Sequence, residues 1–181
     1  RRSSDLGAKV GGFAAMIRFF ALAVPDSAAS TWVLPVAIIA AITMLLGNIV
    51  AISQSTMKRV LAYSSIAHGG YILMAVAAIP DSAEAISSAL TYMMAYMFTN
   101  LGAFAIVMLV ENNQDGETTI EDYKGLAKNN FVVAMVLAYF MFSLIGMPLT
   151  GGFISKFAVF KAAIDANLVW LTVLGVIASA R

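Results

Sequence analysis

The chain has 181 residues, 61% of them hydrophobic and 12% charged, with a mean hydropathy of +0.87; soluble domains run about 45–50% apolar and about 25% charged, so lipid is the expected solvent. A net charge of +1 with scattered basic residues excludes a nucleic-acid partner, which needs clustered Lys and Arg. With no cysteine and a single histidine, the chain offers no disulfide, thiolate zinc site, cysteine-bound iron–sulfur cluster or bis-histidine haem.

Crossing a hydrocarbon core takes about 20 residues of helix at roughly 1.5 Å each. The first candidate span is 7–24, with Lys9 and Arg18 inside it and Pro25, Asp26 and Ser27 closing it. The second is 32–53, where Trp32 suits an interfacial anchor. The third, 57–79, ends at Pro80, Asp81 and Ser82, and the fourth is 85–110. A long polar stretch follows at 111–130. In its second half Ile120, Tyr123, Leu126 and Ala127 fall at helical spacing, which predicts a short surface helix over 119–129.

The fifth span, 131–163, is too long for one straight crossing and is interrupted at 146–152 by Gly146, Pro148, Gly151 and Gly152. The sixth, 167–181, runs to the end of the chain, and residues 1–5 do not resemble a signal peptide. Both ends are expected to be cut from a longer protein. Continuous apolar runs at 34–46 and 132–142 lack the strict alternation of barrel strands. The expected fold class is therefore all-α, a polytopic transmembrane helix bundle forming a single domain over 1–181. Lys58 and Arg59 between the second and third spans place that loop in the cytoplasm, and alternation puts 111–130 on the same side.

An ionisable group at mid-bilayer costs about 2.5–3.5 kcal/mol or more, and such groups commonly mark an ion path. Lys156 lies eight residues past Pro148, which has no N–H and breaks the helix. Broken backbone at membrane depth is tolerated only against protein or a wet cavity. Lys156 thus reads as a lysine that gains and loses a proton beside freed backbone groups; the plainer reading is a snorkelling side chain. His68 falls near the middle of the third span, with Ser64 one turn earlier on the same face. It reads either as a proton relay or as an interhelical hydrogen bond. Lys9 taken alone reads as an interface lysine, Lys58 and Arg59 as topogenic, and Arg18 as an interface residue or a structural ion pair. Tyr92, Tyr96 and Asn100, spaced by four with Thr99 beside them, form a polar stripe that lines water or packs helices. The pairs Gly11–Gly12, Gly69–Gly70 and Gly151–Gly152 suit close helix packing. The sequence contains no phosphate loop, nucleophile elbow or metal-ligand cluster, so neither catalytic nor metal residues are assigned.

Three runs together resemble the antiporter-like subunits of proton-pumping NADH:quinone oxidoreductase (respiratory complex I), and subunit N most closely. They are MKRVLAYSSIAHGGY at 57–71, YMFTNLGAF at 96–104 and SLIGMPLTGGFISKF at 143–157. The resemblance runs from about Gly7 to the chain's end. M- and L-type relatives tend to place a histidine in the helix of the second run, and M types usually carry glutamate where this chain has Lys156. The resemblance implies an antiporter-like fold of about fourteen helices in two inverted halves, each with a broken helix. This chain would hold the eighth to twelfth helices and the start of the thirteenth, with Pro148 breaking the twelfth.

By that resemblance Lys9, in AKVGGF at 8–13, matches the central-axis lysine of the eighth helix, which displaces its reading as an interface residue. Residues 1–5 are polar where the family is apolar. His68 matches the histidine of the tenth helix and Lys156 the lysine of the twelfth. The implied proton path runs Lys9, His68, Lys156; the family's glutamate of the fifth helix and lysine of the seventh would lie upstream. The implied activity is proton translocation driven by electron transfer from NADH to quinone. NADH, FMN, iron–sulfur clusters and quinone are expected in other subunits and none on this chain. Its partners would be the other membrane-arm subunits and the lipid bilayer, in the cell inner (plasma) membrane. The alternatives are a subunit of a multisubunit Na⁺/H⁺ antiporter, an F₄₂₀H₂- or ferredoxin-linked quinone oxidoreductase, or a scaffold whose polar residues only join helices.

Overall fold

The computed structural model describes residues 2–111 and 119–179; residues 112–118 of the expected polar loop, and residues 1, 180 and 181, lie outside the described residues. The fold is all-α. Its long helices are α1 (Arg2–Leu22), α2 (Ala29–Ile52), α3 (Met57–Ala77) and α4 (Ala85–Glu111). After a 3₁₀ turn (Ile120–Tyr123) and the single turn α5 (Leu126–Asn129) come α6 (Phe131–Ile145), α7 (Gly151–Asp165) and α8 (Val169–Ser179). The helices α2, α3 and α4 are each long and apolar enough to cross a bilayer, and α6 and α8 are shorter apolar helices. Large apolar side chains such as Leu34, Ile38, Met94 and Phe98 stay exposed on the outer faces, as a lipid-facing surface requires.

Small residues let α2 and α3 close tightly. A Cβ on Gly70 would stand 2.5 Å from Met44 Cγ and 2.9 Å from the Ala40 carbonyl, so a larger residue would push the two helices apart. Ala37, Ala40, Ala41 and Ala67 bury completely or nearly so beside this contact. Close packing does not extend to Gly11 and Gly12, where an added Cβ would meet nothing within 4 Å. Trp32 stacks on Phe20 with ring centroids 4.3 Å apart and so pins the start of α2 to α1.

The surface helix expected over 119–129 is instead two short turns. The 3₁₀ turn ends where Lys124 becomes extended, and Gly125 then takes φ +85, a left-handed conformation, as the N-cap of α5. This segment meets the α2–α3 connection: Thr56 and Thr119 form an isolated antiparallel bridge, and the Ile120 amide donates to the Ser55 carbonyl at 3.0 Å. Lys58 pairs with Glu111 at the same end of the bundle. At the other end Lys161 pairs with Glu84 at 2.7 Å.

Candidate functional site

The site begins with an accounting problem. The last four carbonyls of any helix lack an intrahelical donor. In α6 these belong to Phe142, Ser143, Leu144 and Ile145. Gly146 follows with φ +89, and its amide donates to the Ser143 carbonyl at 3.1 Å while the Met147 amide donates to Phe142 at 3.0 Å. That is a left-handed Schellman cap, and it satisfies two of the four carbonyls. The other two both accept from one side chain, and Ile145 also from the Ser179 hydroxyl at 3.3 Å. Lys156 Nζ donates to Leu144 O at 3.0 Å and to Ile145 O at 2.7 Å, and its third proton goes to Ser179 Oγ on α8 at 2.9 Å.

Local sequence makes this possible. Gly146 has already turned left-handed, and Pro148, which has no amide to offer, does not rejoin the helix. Thr150 restarts it as the N-cap, accepting from the Phe153 amide at 3.3 Å. A helical side chain leans toward its own N-terminus, so Lys156 of α7 points back over the gap rather than away from it. The glycines of the break have unequal roles. At Gly146 a Cβ would lie 3.0 Å from Lys156 Cδ, in addition to the positive φ. At Gly152 it would lie 1.7 Å from the Ser143 carbonyl oxygen, so only glycine lets α6 and α7 approach. Gly151, singled out in the sequence, would meet nothing within 4 Å; the structural demand falls on its neighbour.

Depth and electrostatics agree with a deliberate placement. Lys156 lies nine residues before the end of α7, so with that end at the lipid boundary it would stand roughly 14 Å deep, near half of a ~30 Å core. It is 6% exposed. Three hydrogen bonds to a charged group, each worth about 1.5–3 kcal/mol, offset a mid-membrane cost of about 2.5–3.5 kcal/mol or more. The carboxyl end of α6 carries partial negative charge and favours the cation as well. The ion pairs among the described residues, Lys58–Glu111, Lys124–Glu121 and Lys161–Glu84, lie near helix ends or in the connection before α6. Carbonyl dipoles, not a carboxylate, hold this lysine among the described residues.

A cavity of about 230 Å³ joins the lysine to α3; Ser64, His68, Tyr71, Lys156 and Ser179 line it, with Asn48 of α2. It has room for several waters and polar groups to hold them. His68 and Lys156 also border a second, much smaller space with Tyr92, Tyr96, Thr99 and Ser155. His68 Nδ1 and the Tyr92 hydroxyl are 2.6 Å apart, and the Tyr96 ring stacks on the imidazole at 4.8 Å between centroids. Asn100 is buried one turn further on, its Nδ2 without a hydrogen-bond partner among the described residues. Lys9, an exposed residue of α1, reaches the same helix: its Nζ donates to Ser65 Oγ at 2.8 Å, three residues before His68. The described contacts thus join Lys9 to Ser65, and the cavity joins His68 to Lys156. Ser65, Tyr71 and Ser179 carried no distinguishing signal in the sequence.

The family model for the transmembrane region of NADH:quinone oxidoreductase and Mrp antiporters matches residues 6–180. NADH-quinone oxidoreductase subunit N 1 of Herpetosiphon aurantiacus is 46% identical over 175 residues, covering 97% of this chain and 35% of the relative. Subunit N of Trichlorobacter lovleyi is 44% identical over 174 residues, covering 96% and 35%. Among solved structures, a chain of respiratory complex I from Thermus thermophilus superposes with a TM-score of 0.65 at 29% identity, over 93% of this chain and 35% of that one. The membrane-bound sulfane sulfur reductase, an archaeal respiratory membrane complex, gives 0.82 at 28% identity, over 93% and 34%. The Mrp complex of Dietzia sp. gives 0.81 at 23% identity, over 92% and 30%, which is a likeness of fold. The chain spans about a third of the length of the curated relatives it matches.

Proposed function

From the premise that the chain belongs to the NADH:quinone oxidoreductase/Mrp antiporter transmembrane family, we propose that it is part of an N-type, proton-translocating membrane subunit of NADH:quinone oxidoreductase. The observation that carries this reading is Lys156: a buried amine on the two uncapped carbonyls of a broken helix, sharing a cavity with the only histidine. The names of the curated relatives support the N type and the oxidoreductase complex. In this reading NADH, FMN, iron–sulfur clusters and quinone belong to other subunits, the partners are the other membrane-arm subunits, and the whole sits in the cell inner (plasma) membrane.

Lys9, His68 and Lys156 act as a row of proton-holding groups linked by Ser65 and by water in the cavity. Imidazole donates at one nitrogen while accepting at the other, so His68 passes a proton along without moving. Two unit charges about 10 Å apart repel by about 1.7 kcal/mol at an effective dielectric near 20. That exceeds a tenfold change in a protonation equilibrium, so a proton handed on from Lys9 to His68, which borders the same space as Lys156, weakens the hold of Lys156 on its own. Redox chemistry elsewhere drives the charge changes, and this chain needs only small side-chain adjustments. Ser179 suits such an adjustment: its hydroxyl accepts from Lys156 and also lies 3.3 Å from the Ile145 carbonyl.

The test is Lys156→Ala and Lys9→Ala in the full-length subunit within its assembled complex. Quinone-linked proton pumping is expected to fall in both, and unchanged pumping in both would refute the relay. A second reading, a Na⁺/H⁺ antiporter subunit, is favoured by the breadth of the family, which includes Mrp antiporters. Dependence of transport on NADH and quinone separates the two.

A further inference from the structure

We propose that Tyr71 is a positioning residue for the Lys156 ammonium, its ring face supporting the charged amine and its hydroxyl locking the ring to α8. The inference rests on the reading of Lys156 as a proton-holding group. Lys156 Nζ lies 5.2 Å from the Tyr71 ring centroid, over the ring. A cation within about 6 Å of an aromatic face is attracted by the ring's negative quadrupole, more strongly where water is excluded. Tyr71 is 2% exposed.

The ring's own surroundings fix its attitude. Its hydroxyl donates to the Gly175 carbonyl of α8 at 3.1 Å. Around it stand His68, Tyr92 and Phe160, with centroids 6.1, 5.9 and 6.0 Å away. Gly175 leaves room for this arrangement, since a Cβ there would stand 2.8 Å from Met74 Cε and 3.0 Å from the Phe160 ring.

Geometry also divides the labour at the amine. All three ammonium protons point to acceptors, at Leu144, Ile145 and Ser179. The ring demands no further proton and still distinguishes the two protonation states, because it attracts an ammonium and is indifferent to an amine. Tyr71 follows His68 by three residues on α3, so one helix carries the histidine and the support for the lysine it faces across the cavity.

The test uses the full-length subunit in its assembled complex. Tyr71→Phe serves as the reference. Tyr71→4-fluorophenylalanine, →3,5-difluorophenylalanine and →3,4,5-trifluorophenylalanine then drain the ring face of electron density with little change in shape. NADH-driven pumping is expected to fall stepwise, by about threefold or more across the series. Equal pumping across the series at equal assembly would overturn the inference and leave Tyr71 as a space-filling residue. Lys156→Met is measured alongside. If it abolishes pumping while the fluorinated series stays flat, only the role of Tyr71 fails. If it pumps normally, the reading of Lys156 fails and this inference with it.

Discussion

Replacing Gly152 by alanine should do far more damage than the same change one residue earlier. The added methyl would stand 1.7 Å from the Ser143 carbonyl oxygen, against backbone that cannot swing aside. The two half-helices must then part by more than about 1 Å, an overpacking that costs about 1–3 kcal/mol by itself. Parting them also strains the Gly152 amide's bond to Ser143 Oγ at 3.2 Å and draws Lys156, one turn on, away from Leu144 and Ile145. Charge-assisted bonds of this kind contribute about 1.5–3 kcal/mol each, so the total loss should reach about 3–5 kcal/mol. Gly151→Ala meets nothing within 4 Å and lies in ordinary helical backbone, so it should be neutral or stabilising by up to about 1 kcal/mol. Gly146→Ala should fall between: the left-handed φ of +89 costs about 1–2 kcal/mol, while the neighbouring Lys156 Cδ is flexible enough to yield. Reversible unfolding of the full-length subunit in mixed micelles, titrated with a denaturing detergent, gives the three values. If Gly151→Ala and Gly152→Ala differ by less than about 1 kcal/mol, the close approach across the break is not there.

Cysteines placed by Thr56→Cys and Thr119→Cys should cross-link on mild oxidation, because directly opposed antiparallel residues lie about 4.5–5.5 Å apart at Cα, within disulfide reach; failure to cross-link would separate the two loops. Tyr92→Phe removes the partner 2.6 Å from His68 Nδ1 and should cost about 1–3 kcal/mol in the same unfolding assay, with slower pumping; an unchanged stability would mean that water replaces the hydroxyl freely. The Asp122 carboxylate accepts from the Thr119 backbone amide at 2.7 Å and from its hydroxyl at 2.8 Å, and these bonds hold it below its ordinary value of 3.8. A depressed carboxylate contributes above its unfolded value and loses that contribution as pH falls through the folded one. Protection of the Thr119 amide in hydrogen exchange should therefore persist down to pH 3.8 and be lost only as the pH falls further, and Asp122→Asn should abolish the pH dependence.

Much of this arrangement was legible because its causes are local. Pro148 has no amide for the helix, Gly146 tolerates a left-handed cap, and a lysine a few residues into the next helix leans back over the gap. Serine and histidine one turn apart share a face, and both Ser64 and His68 line the cavity. What stayed hidden depends on closure in space. Tyr71 looked like any aromatic in an apolar helix; its role appears only when α8 brings Gly175, 104 residues away, against its hydroxyl. Ser179 joins the lysine for the same reason. Gly151 and Gly152 are indistinguishable as letters, and only the path of α6 decides which of them lacks room for a methyl. The surface helix over 119–129 is split in two because Lys124 turns extended and Gly125 left-handed between the turns, which apolar spacing does not register.

In the proposed relay a charge-carrying amine, held by the two carbonyls that α6 cannot satisfy, takes part in moving protons. Its most direct test is the proton-to-electron ratio of the assembled complex with Lys156→Met, which keeps an unbranched side chain, one atom shorter, and removes the protonatable amine. The account predicts that NADH-to-quinone electron transfer continues to some extent while protons moved per electron fall clearly. An unaltered ratio at normal assembly would contradict it.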